Sequence, residues 1–382
     1  MILELHVIQN FAPSKLNRDD TNSPKSCEFG GARRARISSQ CIKRSLRREF
    51  QTSGLLDAQR LAIRSKRFKD ELVQRLAAEG KPADQASAVV QAALTSIGIQ
   101  TGSDGKSQYL LFLGRGEVDA IYELCLEHWS VLLSEYREGQ KKKEAATDAM
   151  KRLKTELLER LDGGRAVDLA LFGRMLADLP EKNIDAASQV AHAISTNRVV
   201  PEFDYYTAVD DLKPDDTAGA DMIGTVEFNS ACFYRYLNVD VGQLVENLQG
   251  DTELAVAAIG ALLDAVRDAV PTGKQNSFAA HNPPSFMFAL IRDQGAWSLA
   301  NAFLKPVEAG RDTDLAAASI RALDKHWGEL TRVYGDPATT KAVVVVGDGE
   351  LSSIGADAVA SDYTAFRDRV VGALAGALGV GV

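Results

Sequence analysis

The chain has 382 residues and a mass of 41.3 kDa, enough for a sizeable core in two or three domains or in one domain with large insertions. Hydrophobic residues at 45% and charged residues at 25% are ordinary for a soluble globular protein, and no run approaches 18 consecutive apolar residues, which excludes a membrane-spanning helix. A net charge of −8 and a pI near 5.3 exclude indiscriminate binding of polyanions over the whole surface.

Residues 2–11 alternate like an edge-to-core strand, with Leu3, Leu5 and Val7 set against Glu4 and His6, and lack the basic-then-apolar order of a secretory signal. A long polar loop follows, APSKLNRDDTNSPKSCEFGG, of a length that is usually functional or disordered. Residues 33–37 form a short strand, and Ser38-Ser39 supplies the N-cap of a helix running to about Phe50. On it Ile42, Leu46 and Phe50 make one apolar stripe, while Lys43 with Arg47 and Arg44 with Arg48 make two cationic columns. Residues 55–180 read as an all-helical insertion, in which KKKE at 141–144 is a solvated helix start. From residue 190 strands return: 224–241 is one long strand, 277–291 a strand, loop and strand, and 341–347 a buried strand. Residues 254–270 form a helix ended by Pro271, and the Gly/Ala-rich tail VVGALAGALGVGV frays. The fold class is α+β, a sheet domain interrupted by a helical one.

The stretch from Phe29 to Phe50 carries the strongest chemical signal. It holds seven Lys or Arg between Arg33 and Arg48 and no acid among them; removing those seven from a net charge of −8 leaves −15. Such concentration suits a local anion site. Helix N-termini carry unsatisfied N–H groups, Ser38, Ser39 and Gln40 add neutral donors, and Lys43, Arg44 and Arg47 add charge. Neutral donors beside cations suit a nucleic-acid backbone contact that fixes position without reading sequence; the bland alternative is a solvated basic face. Residues 195–226 are polar and proline-punctuated, with Phe203, Tyr205 and Tyr206 in strand-like alternation, which fits a protruding hairpin or a loop packed by its own aromatics. Arg174 and Met175 would place a cation and a flexible apolar wedge near a ligand, although a Met at helical spacing is more often core.

The acid pairs Asp19-Asp20, Asp210-Asp211 and Asp215-Asp216 fit capping and turn roles better than Mg²⁺ binding, because adjacent loop carboxylates diverge. The five histidines lack metal-binding spacing, and PTGKQ at 271–275 is only half a phosphate loop. No catalytic residue, metal ligand or cofactor is expected. The four irregularly spaced cysteines argue against a disulfide framework and for a reducing, cytoplasmic setting.

The blocks LNRDD (16–20), FGG.RR.RISSQ..KR (29–44), GRM (173–175), AHAI (191–194), TAVDDL (207–212), EF.S..FYRY (227–236), KQ (274–275) and SLANAF (298–303) occur in this order. Together they resemble the CasC-type backbone subunit of the type I-E CRISPR Cascade complex. The resemblance implies an RRM-like (ferredoxin-like) palm at 1–54 and 181–382, helical fingers at 55–180, and a β-hairpin thumb at about 195–226. It implies copies that polymerise along the spacer of a guide RNA and present its bases to target DNA. Other Cascade subunits would be partners, and cleavage would be left to a recruited helicase-nuclease. It also implies guide contacts by Arg18, Lys25, Ser38, Gln40, Lys43, Arg44, Arg47 and Lys274, a finger contact by Arg174 and Met175, and thumb contacts by Tyr205, Tyr206 and Thr207. Arg47 stands where relatives carry lysine, so the charge is kept. A rival is the metal-dependent RNA endonuclease of the type III backbone kind, using Asp19 and Asp20. A second is a regulator binding duplex DNA with the 38–50 helix, which would need a compact helix-turn-helix that the chain lacks.

Overall fold

The computed structural model describes residues 1–139, 148–208, 222–336, 338–347 and 351–381. The run at 141–144, the pairs Asp210-Asp211 and Asp215-Asp216, and the middle of the 195–226 hairpin lie outside these residues.

The chain divides into two compact units: the first is Met1–Phe50, Gln189–Asp240 and Ile259–Val382, the second Gln51–Ser188 and Val241–Ala258. In the first, an antiparallel sheet runs through β1 (Ile2–Ser14), β2 (Ser26–Phe29), β3 (Ala32–Ile37), β6 (Ser188–Val190), β7 (Ala193–Ser195), β8 (Glu202–Ala208), β9 (Met222–Asp240), β10 (Phe286–Arg292) and β11 (Thr339–Val346). The order is β11-β10-β1-β9-β7-β3-β2, with β6 and β8 each pairing β9 beside this path.

β1 is therefore central, not an edge strand, and its polar face is buried too. Glu4, His6 and Gln9 have no exposed surface. Each is tied to a neighbour, as buried polar groups must be: the Tyr236 hydroxyl donates to Glu4 at 2.6 Å, His6 Nδ1 meets the Tyr234 hydroxyl at 2.9 Å, and Arg235 donates to Gln9 at 2.5 Å. The alternation that looks like a wet face is instead a polar layer, covered by the helix Leu315–Tyr334 through Ile320, Leu323 and Trp327. On the opposite face α1 (Ser39–Thr52) seats Ile42 and Leu46 over Phe11, Ile37 and Pro271. Beside it, α9 (Thr252–Asp268) accepts Arg235 on the Val266 carbonyl.

Several expectations change. Residues 277–278 end a short helix, Gln275–Phe278, because the left-handed backbone of Lys274 and Ala279 brackets it. The 341–347 strand lies at the sheet edge and is only half-buried. The tail is helical over Tyr363–Leu378, since Val370 and Leu374 are buried and Ala and Leu favour helix; Gly379 ends it with φ +71°.

The second unit is helical but not wholly so. Around one apolar core built on Leu72, Leu76, Val89, Leu94, Ile121 and Leu153 pack the helices Phe68–Ala78, Ala83–Ser96, Arg115–Glu127, Trp129–Gly139 and Asp148–Glu159. A two-stranded sheet, β4 (Ala62–Ser65) with β5 (Leu111–Gly114), interrupts them. Val241–Ala258 joins this unit rather than the sheet, because Asn247 donates to the carbonyls of Ala170 and Asp185.

Candidate nucleic-acid interface

The basic stretch forms β3 and α1 in direct succession. Ser38 is the cap: its hydroxyl accepts from the Cys41 N–H at 3.4 Å, while its own N–H donates to the Asn17 side chain at 2.9 Å. Ser38 is accordingly buried, and the capping bond, not an outward contact, accounts for its hydroxyl. Along α1, Gln40 and Arg44 are exposed, and Lys43 and Arg47 are half-buried beside the apolar stripe. Burial lowers the Lys43 pKa from the ordinary lysine value. Arg44 reaches the Thr272 hydroxyl at 3.4 Å, which ties the helix to the 271–275 loop.

Two further segments meet there. The 15–25 loop is closed by Asp19, whose Oδ1 accepts from the Thr21 N–H, the Thr21 hydroxyl and the Ser23 N–H; these bonds hold its carboxyl below the usual range. Arg18 is exposed and donates to Asn22 at 2.9 Å, and Lys25 is half-buried with its N–H on the Asn17 carbonyl. The 271–275 loop packs backbone to backbone on this segment: a Cβ at Gly273 would stand 2.4 Å from the Leu16 carbonyl oxygen and 2.5 Å from that of Lys15. Lys15, buried, has its pKa pulled down by desolvation and then by the neighbouring Lys274 ammonium, with Glu227 of β9 opposing. The tertiary fold thus gathers Arg18, Lys25, Gln40, Lys43, Arg44 and Lys274 around the start of α1. Lys15, Arg36 and His192 join them. Of these three, only His192, in the block AHAI, stood in a motif of its own.

Not every cation of the stretch faces outward. Arg34 is fully buried and donates to the carbonyls of Ser195, Thr196 and Phe303 at 3.0, 2.7 and 2.7 Å, stapling β3 to two distant loops.

Arg174 needs a correction. Its side chain is fully buried in the second unit against Glu117, at 2.7 Å, and also donates to the Lys182 carbonyl. Glu117 accepts at the same time from the backbone of Gly114 and Gly163. The guanidinium is therefore committed to joining four segments of that unit and offers nothing to a ligand. Its neighbour Met175, by contrast, is 80% exposed after the turn at Gly173.

β8 pairs antiparallel with the start of β9, Glu202 opposite Phe228 through Ala208 opposite Met222, and all seven of its residues are exposed. Phe203, Tyr205 and Thr207 share one face by strand alternation. Tyr206 lies on the other, its ring over Gly224, where a Cβ would come within 2.4 Å of the ring carbon bearing the hydroxyl. Among the described residues the one grouping with metal-ligand geometry is Glu127, His128 and Glu156 in the second unit, remote in sequence from Asp19 and Asp20. No helix among them is long and apolar enough to cross a membrane.

Comparison with known proteins fits this geometry. Residues 3–369 match the family model described as "CT1975-like protein" (Cas_CT1975). A solved chain of a "CRISPR RNA-guided surveillance complex, pre-nicking" superposes with a TM-score of 0.85 at 30% identity, over 98% of this chain and 100% of that one. Another, from a "CRISPR RNA-guided surveillance complex", gives 0.74 at 25% identity over the same shares. No curated protein matches. With nearly its whole length inside the family model, the chain belongs to the CT1975-like protein family.

Proposed function

We propose that the chain is the guide-RNA-holding backbone subunit of a Cascade-type CRISPR surveillance complex. The observation that carries this reading is the convergence of Arg18, Lys25, Gln40, Lys43, Arg44 and Lys274 from three segments onto the start of α1 in an otherwise acidic chain. Cations and neutral donors without any reader of base edges suit a ligand held by its phosphates and sugars, which leaves the bases free for pairing.

The first unit is the palm. Its elements β1, α1, β7, β9, α9 and β10, with strand order β10-β1-β9-β7 and both helices on one face, support an RRM-like (ferredoxin-like) βαββαβ core. The second unit is the fingers, which present Met175, and the β8–β9 hairpin is the thumb, which offers Phe203, Tyr205 and Thr207. Copies assemble along the guide in the cytoplasm, with other subunits and a recruited helicase-nuclease completing the machine. The subunit itself does not cleave: Asp19 is spent on its own loop.

The test is to express the chain with its complex partners and a guide, purify it, and sequence the nucleic acid that it retains. Guide-length RNA is expected. Complexes purified free of RNA would overturn the reading, and Mg²⁺-dependent, regularly spaced cuts in added complementary RNA would favour the Asp19/Asp20 endonuclease instead.

A further inference from the structure

His192 sits in the block AHAI immediately before β7, with the backbone of Ala191 held on the Tyr236 carbonyl, so the sheet fixes its place. Arg36 of β3 donates from Nη1 to His192 Nδ1 at 3.0 Å. A ring that accepts at Nδ1 is neutral, with its own proton on Nε2. The Arg36 N–H bonds the Lys25 carbonyl, and Arg36 and Lys25 line one narrow crevice with Asn17 and Asn229. That crevice, of about 10 Å³, holds one water at most, so a larger anion would lie at its mouth, beside the exposed imidazole.

We propose that Lys25, Arg36 and His192 form a phosphodiester subsite whose occupation takes up one proton at His192. The proposal rests on the RNA reading above and adds a ligand and a linkage to it. Without an anion the ring faces two cations: Arg36 across the hydrogen bond and Lys25 from the preceding loop. Desolvation first, then these two charges, lower its pKa. The thiols of Cys27 on β2 and Cys41 on α1, and the Arg44 guanidinium near Cys41, complete the titratable and charged surroundings. A phosphate at the mouth reverses the local field. Arg36 Nη1 then turns its hydrogen bond to the phosphate oxygen, Nδ1 is freed, and a proton from the buffer occupies it. The imidazolium becomes a further donor to the same anion. Lower pH should therefore tighten binding.

Calorimetry of the full chain with a single-stranded oligouridylate, run at pH 7 in two buffers of different ionisation enthalpy, measures the proton count. Net uptake is expected, with affinity rising about tenfold from pH 8 to pH 6, the scale of a pKa change of one unit. In H192Q the uptake should vanish and the affinity at pH 6 should fall to about the wild-type value at pH 8; far-UV circular dichroism checks that this exposed substitution leaves the fold intact. Binding without proton uptake, or uptake that persists in H192Q (His281 on the neighbouring loop being the obvious source), overturns the subsite while leaving the RNA reading in place. No binding at any pH overturns both.

Discussion

Among the cations of this chain, burial and partner decide the role of each. Arg34 and Arg174 are enclosed and bonded to carbonyls or a carboxylate, so they hold the fold. Replacing Arg174 by methionine leaves the Glu117 carboxylate buried without its counter-charge, and such changes cost about 3–5 kcal/mol. Urea denaturation should show a loss of that order, and a loss below about 1 kcal/mol, the scale of exposed pairs, would contradict the structural role. Lys43 and Arg47 sit at the surface of α1 instead. K43E/R47E should fold normally and lose RNA; if each side chain meets one phosphate, a charge-neutralising form of the pair should lower the slope of log affinity against log salt by about 1.4 for single-stranded RNA. RNA still co-purifying with the double mutant would remove α1 from the interface. His6 is a third case. Buried among Tyr234, Tyr236 and Phe288, its pKa falls to about 3, by desolvation first and then by the Arg292 charge. The unfolded chain binds that proton near pH 6.5, the folded chain only near pH 3, so stability falls as pH drops through this window, by up to about 1.4 kcal/mol per unit. The neighbouring Glu4, its pKa raised chiefly by burial, works in the opposite sense above pH 4.5. Comparing wild type with His6→Phe isolates the histidine: the variant should lose less stability between pH 6.5 and pH 4, and equal losses would reject the assignment.

At the scale of elements, the interface depends on backbone packing as much as on charge. The 271–275 loop reaches the 15–16 segment only because residue 273 lacks a side chain. Gly273→Ala should push the loop away, carrying Lys274 and Thr272 off the α1 site without touching the core. RNA affinity should fall and the salt slope shrink by about 1, as expected for one lost phosphate contact; unchanged binding would place Lys274 outside the interface. The β8–β9 pair shows a similar device. Tyr206 covers Gly224 and stiffens the hairpin arm, while Phe203 and Tyr205 are left on the other face.

For the whole molecule, the prediction concerns assembly. Tyr205 and Phe203 are 62% and 68% exposed on a strand with no core of its own to cover. Tyr205→Ala with Tyr206→Ala should reduce the size of complexes on a long guide, read by mass photometry, with a smaller effect on RNA binding by the monomer. Equal loss of both would make the hairpin part of the RNA-holding site itself.

The sequence by itself determined what local chemistry can encode: the apolar stripe of α1, the cap at Ser38, the long strand of β9, and a cation cluster standing out from an acidic background. Periodicity and charge are written residue by residue, so they are legible without a fold. Only the tertiary structure decided which side of each pattern meets solvent. It made the polar face of β1 an interior layer, because two strands and a helix cover it. It also turned Arg34 and Arg174 inward, because carbonyls and Glu117 from distant segments wait there, and it brought Lys15, Arg36, His192 and Lys274 to α1. A lone lysine or histidine carries no sign of its neighbours; long-range pairing supplies them.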